Sequence, residues 1–112
     1  MTISELSTAV EYKINTITIV MNNGSWGAEK AYQRDFYNKR YIGSNISSPP
    51  FHKLAELYGA KGFYVEKISD VKKTIKKALK LNKPSVINIM VDPKALYSFR
   101  RDSFKHRILK NK

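Results

Sequence analysis

Between Met21 and Glu29 the chain reads Met-Asn-Asn-Gly-Ser-Trp-Gly-Ala-Glu, and residue types capable of chemistry gather there. Asparagine side-chain oxygens and backbone carbonyls are hard neutral donors suited to Mg²⁺, an ion that keeps octahedral oxygen coordination and is often shared with phosphates. A helix beginning near Gly27 would add free N–H groups and the positive end of its dipole, a natural seat for phosphate. The segment reads as a diphosphate and magnesium loop. Asn-Asn-Gly is equally the composition of an ordinary tight turn, and the residues alone leave both readings open.

The elements that must position this loop follow from periodicity. Ile3, Leu6 and Val10 recur at helical spacing. Ile14 to Met21 is rich in β-branched residues and predicts a buried strand that stops at Asn22-Asn23-Gly24. Gly27 to Phe36 permits a helix, and Asn38 to Pro50 reads as an extended loop, long enough to hint at function. Phe51, Leu54, Ala55 and Tyr58 mark a helix closed by Gly59, and Gly62 to Val65 a brief strand. Ser69 or Asp70 is positioned to cap a helix whose apolar face is Val71, Ile75, Ala78 and Leu79, with Pro84 ending it. Ser85 to Val91 predicts a strand covered on both faces, stopped by Asp92 and Pro93. This alternation predicts an α/β fold, a partial three-layer domain with a mostly parallel sheet. About three strands is thin for a doubly wound domain, so the chain reads as part of one. Residues 1–93 are expected to form that partial domain and residues 94–112 a basic tail.

Composition narrows the function. With 112 residues, 42% apolar and 27% charged, the chain suits one globular domain. Cysteine is absent, which excludes disulfide scaffolds, thiolate nucleophiles and zinc fingers, and His52 and His106 alone cannot build a histidine metal site. The longest apolar stretch is too short to span a bilayer, and the first residues lack the basic flank of a secretion signal. A soluble, cytoplasmic protein without a membrane partner is expected. The net charge of +12, from 21 basic and 9 acidic residues, invites comparison with nucleic-acid binders. Its carriers are Lys72, Lys73, Lys76, Lys77, Lys80 and Lys83 on one predicted helix, and Arg100, Arg101 and their neighbours in the tail. The helix reads as a solvated face, and binding to nucleic acid or an acidic partner is the alternative of a different class.

Asn22-Asn23 after an apolar strand, Trp26-Gly27-Ala28-Glu29-Lys30, Gln33, Asp35-Phe36-Tyr37-Asn38 with Arg40, and Gly59-Ala60-Lys61-Gly62 together resemble the C-terminal cofactor domain of thiamine-diphosphate-dependent enzymes. The Trp26 to Lys30 run and Phe99 to Asp102 are the more specific signals within that resemblance. It implies thiamine diphosphate and Mg²⁺ as cofactors. Asn23 would bind the metal through its side-chain oxygen and Ser25 through its backbone carbonyl, while Trp26, Gly27 and Ala28 would turn N–H groups to the diphosphate. Glu29 matches a position near the reacting centre, where an acid could move protons; a first-turn acid favoured by the helix dipole is the other reading. Arg100 and Arg101 could recognise a sulfonate or phosphate, since a guanidinium fork matches such anions, or belong to a basic tail. Trp26 and Tyr37 either wall the cofactor cleft or pack in a core.

The resemblance further implies an acyltransferase that takes a small sulfonated aldehyde and phosphate, releases sulfite and forms acetyl phosphate. Relatives of acetolactate synthase or oxalyl-CoA decarboxylase type are the alternatives within the family. Members carry a Gly-Asp-Gly triplet, whose Asp is the charged metal ligand, upstream of the asparagines, and no such triplet occurs here. A ring-activating glutamate comes from another domain and usually another subunit. The chain is therefore expected to be the C-terminal piece of a larger homo-oligomeric enzyme, inactive by itself and dependent on missing N-terminal domains.

Overall fold

The computed structural model describes residues 3–97. Element order is α1 (Glu5–Glu11), β1 (Ile17–Asn22), α2 (Gly27–Phe36), α3 (Phe51–Leu57), β2 (Lys61–Val65), α4 (Ile68–Leu81) and β3 (Ser85–Met90). The chain divides into two compact units, one of residues up to 22 with 48–91, the other of residues 23–47 with those from 92 onward. The expected tail beyond residue 97, with Arg100 and Arg101, lies outside the described residues.

The first unit is a three-stranded parallel sheet in the order β1-β3-β2, so the last strand of the chain lies in the middle. That position explains its composition. Ser85 to Ile89 are all buried, as a strand covered on both faces requires. Register places Val20, Asn88 and Tyr64 side by side on one face, and Ile19, Ile87 and Phe63 on the other. On the first face Leu6, Ala55, Ala60 and Val86 form a core with Val10, Val20, Phe51 and Tyr58, contributed in part by α1 and α3. On the second, Val71, Ile75 and Ala78 of α4 pack with Val65, Ile87 and Ile89. Helices on both faces of a parallel sheet are the expected three-layer arrangement.

Two glycines set distances in this unit. Gly59 follows α3 at φ +84°, and Ala60 N–H returns to the Ala55 carbonyl, the left-handed stop expected there. Gly62 lets α3 settle on β2, because a Cβ there would run into the backbone carbonyl of His52.

Several local expectations differ. β1 starts at Ile17 and is an edge strand; Ile19 and Met21 are 43% and 63% exposed, so it is not the buried strand that its composition suggests. α4 begins at Ile68 after Lys67, with no side-chain cap from Ser69 or Asp70, which lie inside the helix. Asn82 ends it in a left-handed conformation at φ 51°, two residues before Pro84. Leu79 is 63% exposed, off the buried face centred on Ala78.

Candidate functional site

The second unit carries the asparagine loop. After β1 the chain turns through Gly24 at φ +61°, a conformation that disfavours side-chain-bearing residues. Ser25 then forms an isolated antiparallel bridge with Asn45. Its hydrogen bonds are flanking ones, Trp26 N–H to the Ser44 carbonyl (2.8 Å) and Ile46 N–H to the Gly24 carbonyl (3.1 Å). In this kind of pair the N–H and C=O of Ser25 itself point away from Asn45, to the loop's outer edge. Ser25 N–H donates there to Asn23 Oδ1 at 3.0 Å. The two expected metal ligands, Asn23 Oδ1 and the Ser25 carbonyl, are thereby brought to one edge.

Gly27 opens α2 and makes this possible. A Cβ at Gly27 would lie 2.8 Å from Asn23 Nδ2, so the asparagine amide occupies the space that any side chain at 27 would need. α2 begins without a side-chain cap. The N–H groups of Gly27 and Ala28, in its first turn, have no acceptor within the helix. Trp26 differs from expectation, because its N–H is already donated to Ser44. Trp26 is 60% exposed and Tyr37 57% exposed, so neither is buried in a core of this chain, although the Tyr37 ring lies 5.6 Å from that of Tyr32. Glu29 is exposed in the first turn of α2, where the helix dipole favours an acid.

The donor set suits a hard cation: an amide oxygen with a second lone pair beyond the bond from Ser25, and a backbone carbonyl. Among the described residues no group of three His, Cys, Asp or Glu could hold a metal. The oxygens at this edge are neutral. A hollow lined by Arg34, Asp35, Phe36 and Lys39 contains none of the expected site residues.

Sequence reasoning gave no role to the side chains that brace the loop. Lys30 Nζ lies 2.7 Å from Asn45 Oδ1 and 3.4 Å from Ser25 Oγ. Gln33 donates to the Ile42 carbonyl at 2.8 Å and accepts from Ile42 N–H at 3.2 Å. Only the membership of Lys30 and Gln33 in the family-like run pointed to them. Arg34 is clamped by Asp35 and bonds the Leu96 carbonyl; the Asp35 hydrogen bond is the main cause of its raised pKa.

Similarity to known proteins gives the family. Residues 1–89 match the family described as thiamine pyrophosphate enzyme, C-terminal TPP binding domain. The chain belongs to that family, whose enzymes use thiamine diphosphate with a divalent metal such as Mg²⁺. Among individual proteins, it is 39% identical over 107 residues to sulfoacetaldehyde acetyltransferase of Castellaniella defragrans, covering 92% of this chain and 18% of that protein. It is 31% identical over 99 residues to a probable acetolactate synthase large subunit of Methanococcus aeolicus, covering 88% of this chain and 16% of the other. The chain thus spans under a fifth of the length of these relatives. A solved thiamine diphosphate-dependent 4-hydroxybenzoylformate decarboxylase of Rhodococcus jostii RHA1 superposes with a TM-score of 0.70 at 30% identity, over 78% of this chain and 16% of that one. Benzoylformate decarboxylase of Polynucleobacter necessarius shares the fold, with a TM-score of 0.73 at 23% identity over 84% and 18% of the two chains.

Proposed function

We propose that residues 23–28 form the metal and diphosphate corner of a thiamine-diphosphate site. The arrangement of Asn23 Oδ1 and the Ser25 carbonyl on one loop edge, with Gly27 clearing room for the asparagine, carries this reading. These two oxygens would ligate Mg²⁺. The Gly27 and Ala28 N–H groups would face the diphosphate, and Trp26 would contribute its exposed indole as a wall rather than its N–H. Glu29 would be the nearest acid for moving protons at the reacting atoms. A carboxylate in the turn that receives a diphosphate is repelled by it, so the metal charge is needed there. The ligands on this loop are neutral, and a carboxylate from outside these 112 residues would complete the site. An activating glutamate would also come from outside, so the isolated chain is expected to be inactive.

The whole enzyme would be a sulfoacetaldehyde acetyltransferase, converting sulfoacetaldehyde and phosphate to acetyl phosphate and sulfite. The higher identity to that enzyme, against 31% to the Methanococcus synthase, supports this choice. When bound, thiamine diphosphate supplies the electron sink, and the protein supplies orientation and electrostatics. Acetolactate synthase activity is the second reading, favoured by the match to those synthases. Replacing the corresponding segment of the Castellaniella and Methanococcus enzymes with this chain tests the two. Sulfite release by the first fusion, with no acetolactate from the second, is expected; activity of the second alone would select the synthase reading.

A further inference from the structure

The edge that carries Asn23 and Ser25 is held by one isolated bridge, and a single pair of strand segments is at best marginal in water. What reinforces it comes from α2. Lys30 and Gln33 are three residues apart and so project from neighbouring positions on the helix. Gln33 fixes the backbone of Ile42 through two hydrogen bonds. Lys30 reaches both sides of the bridge, bonding Asn45 on one segment and Ser25 on the other, and its ammonium stands 5.7 Å from the centroid of the Tyr41 ring. Both of these hydrogen-bond partners are neutral oxygens, so neither cancels its charge.

We propose that Lys30 is a positioning residue for the metal and diphosphate loop: its ammonium clamps Ser25 to Asn45, so that the Ser25 carbonyl and Asn23 Oδ1 keep one outward edge. The purpose of the clamp rests on the reading of the loop given above, whereas the clamp itself rests on the geometry alone. The uncancelled charge also raises the local potential in the sense that favours an anion. Lys30 acts through Ser25 and Asn45 and need not touch the cofactor.

The clamp is tested on the chain itself, without cofactor, by amide hydrogen exchange at Trp26 and Ile46, whose N–H groups make the two bridge hydrogen bonds. Lys30→Met keeps the length and removes the charge; it should speed exchange at these two amides on the order of tenfold, roughly what one hydrogen bond supplies. Ile87 in the central strand serves as the control and should not change. Lys30→Arg retains the charge and two donors and should restore most of the protection. Asn45→Ala removes the same bond from an exposed loop and should reproduce the effect where Lys30→Met perturbs the whole chain. Unchanged exchange at Trp26 and Ile46 in either Lys30→Met or Asn45→Ala, or failure of Lys30→Arg to rescue, would overturn the proposal. Failure of the loop reading would show separately, as a parent fusion protein whose thiamine diphosphate binding ignores Mg²⁺.

Discussion

Gly27 shows how one missing methyl group can serve a site. Alanine is the better helix former by about 1 kcal/mol, which offsets the cost of moving the Asn23 amide aside, so Gly27→Ala should leave thermal stability nearly unchanged. Its Cβ would displace the Asn23 amide, and cofactor affinity in the fusion enzyme should fall on the order of tenfold, about the worth of one lost ligand bond. Calorimetry that finds full affinity would remove Gly27 from the site. A second residue prediction concerns Tyr64, whose hydrogen bond to Glu66 raises its pKa above the usual phenol value, with desolvation adding to the shift. The bond stabilises the protonated phenol. Its contribution is therefore complete below the ordinary tyrosine range and lost as pH rises through the raised value. In an alkaline absorbance titration, Glu66→Gln should move one tyrosine back toward the ordinary value. At this scale the metal roles given to Asn23 and Ser25 rest on the family resemblance, a backbone carbonyl being common to every residue, and only the loop itself was legible in its residue types. The Lys30 clamp was not, since Asn45 lies fifteen residues away and only the path of the loop brings it back.

Among the elements, β3 and α2 were readable from sequence, the first from its mostly apolar run of Val86, Ile87, Ile89 and Met90 and the second from its helical composition after a turn cluster. β1 was misjudged for a physical reason. A run of β-branched residues reports strand propensity, whereas burial depends on how many neighbours the sheet provides, and among the described residues β1 has β3 on one side only. The ends of α4 were misplaced because a capping-type residue one position inside a helix looks the same in sequence as one at its start. Two substitutions separate these cases. Leu79→Ser, on an exposed position, should alter stability by no more than about 0.5 kcal/mol in a denaturant titration. Gly62→Ala should cost about 3 kcal/mol, because the obstacle is the His52 backbone rather than a side chain that can rotate away.

For the whole molecule, the family was legible where the elements were not all correct, because the residue runs that resemble it, from Asn22 to Arg40, can be read irrespective of strand burial. The specific reaction is written less densely, in 18% of the length of an acetyltransferase relative. The central claim is that the Asn23 and Ser25 edge binds the metal. Trp26 is the single tryptophan of this chain and adjoins that edge, but fusion partners bring their own, so calorimetry is the cleaner measurement. Thiamine diphosphate is titrated into the Castellaniella fusion at a series of Mg²⁺ concentrations, with and without Asn23→Ala. The account predicts that the variant needs at least about tenfold more Mg²⁺ for half-maximal binding, the loss of one charge-assisted ligand. An unchanged Mg²⁺ requirement would contradict it.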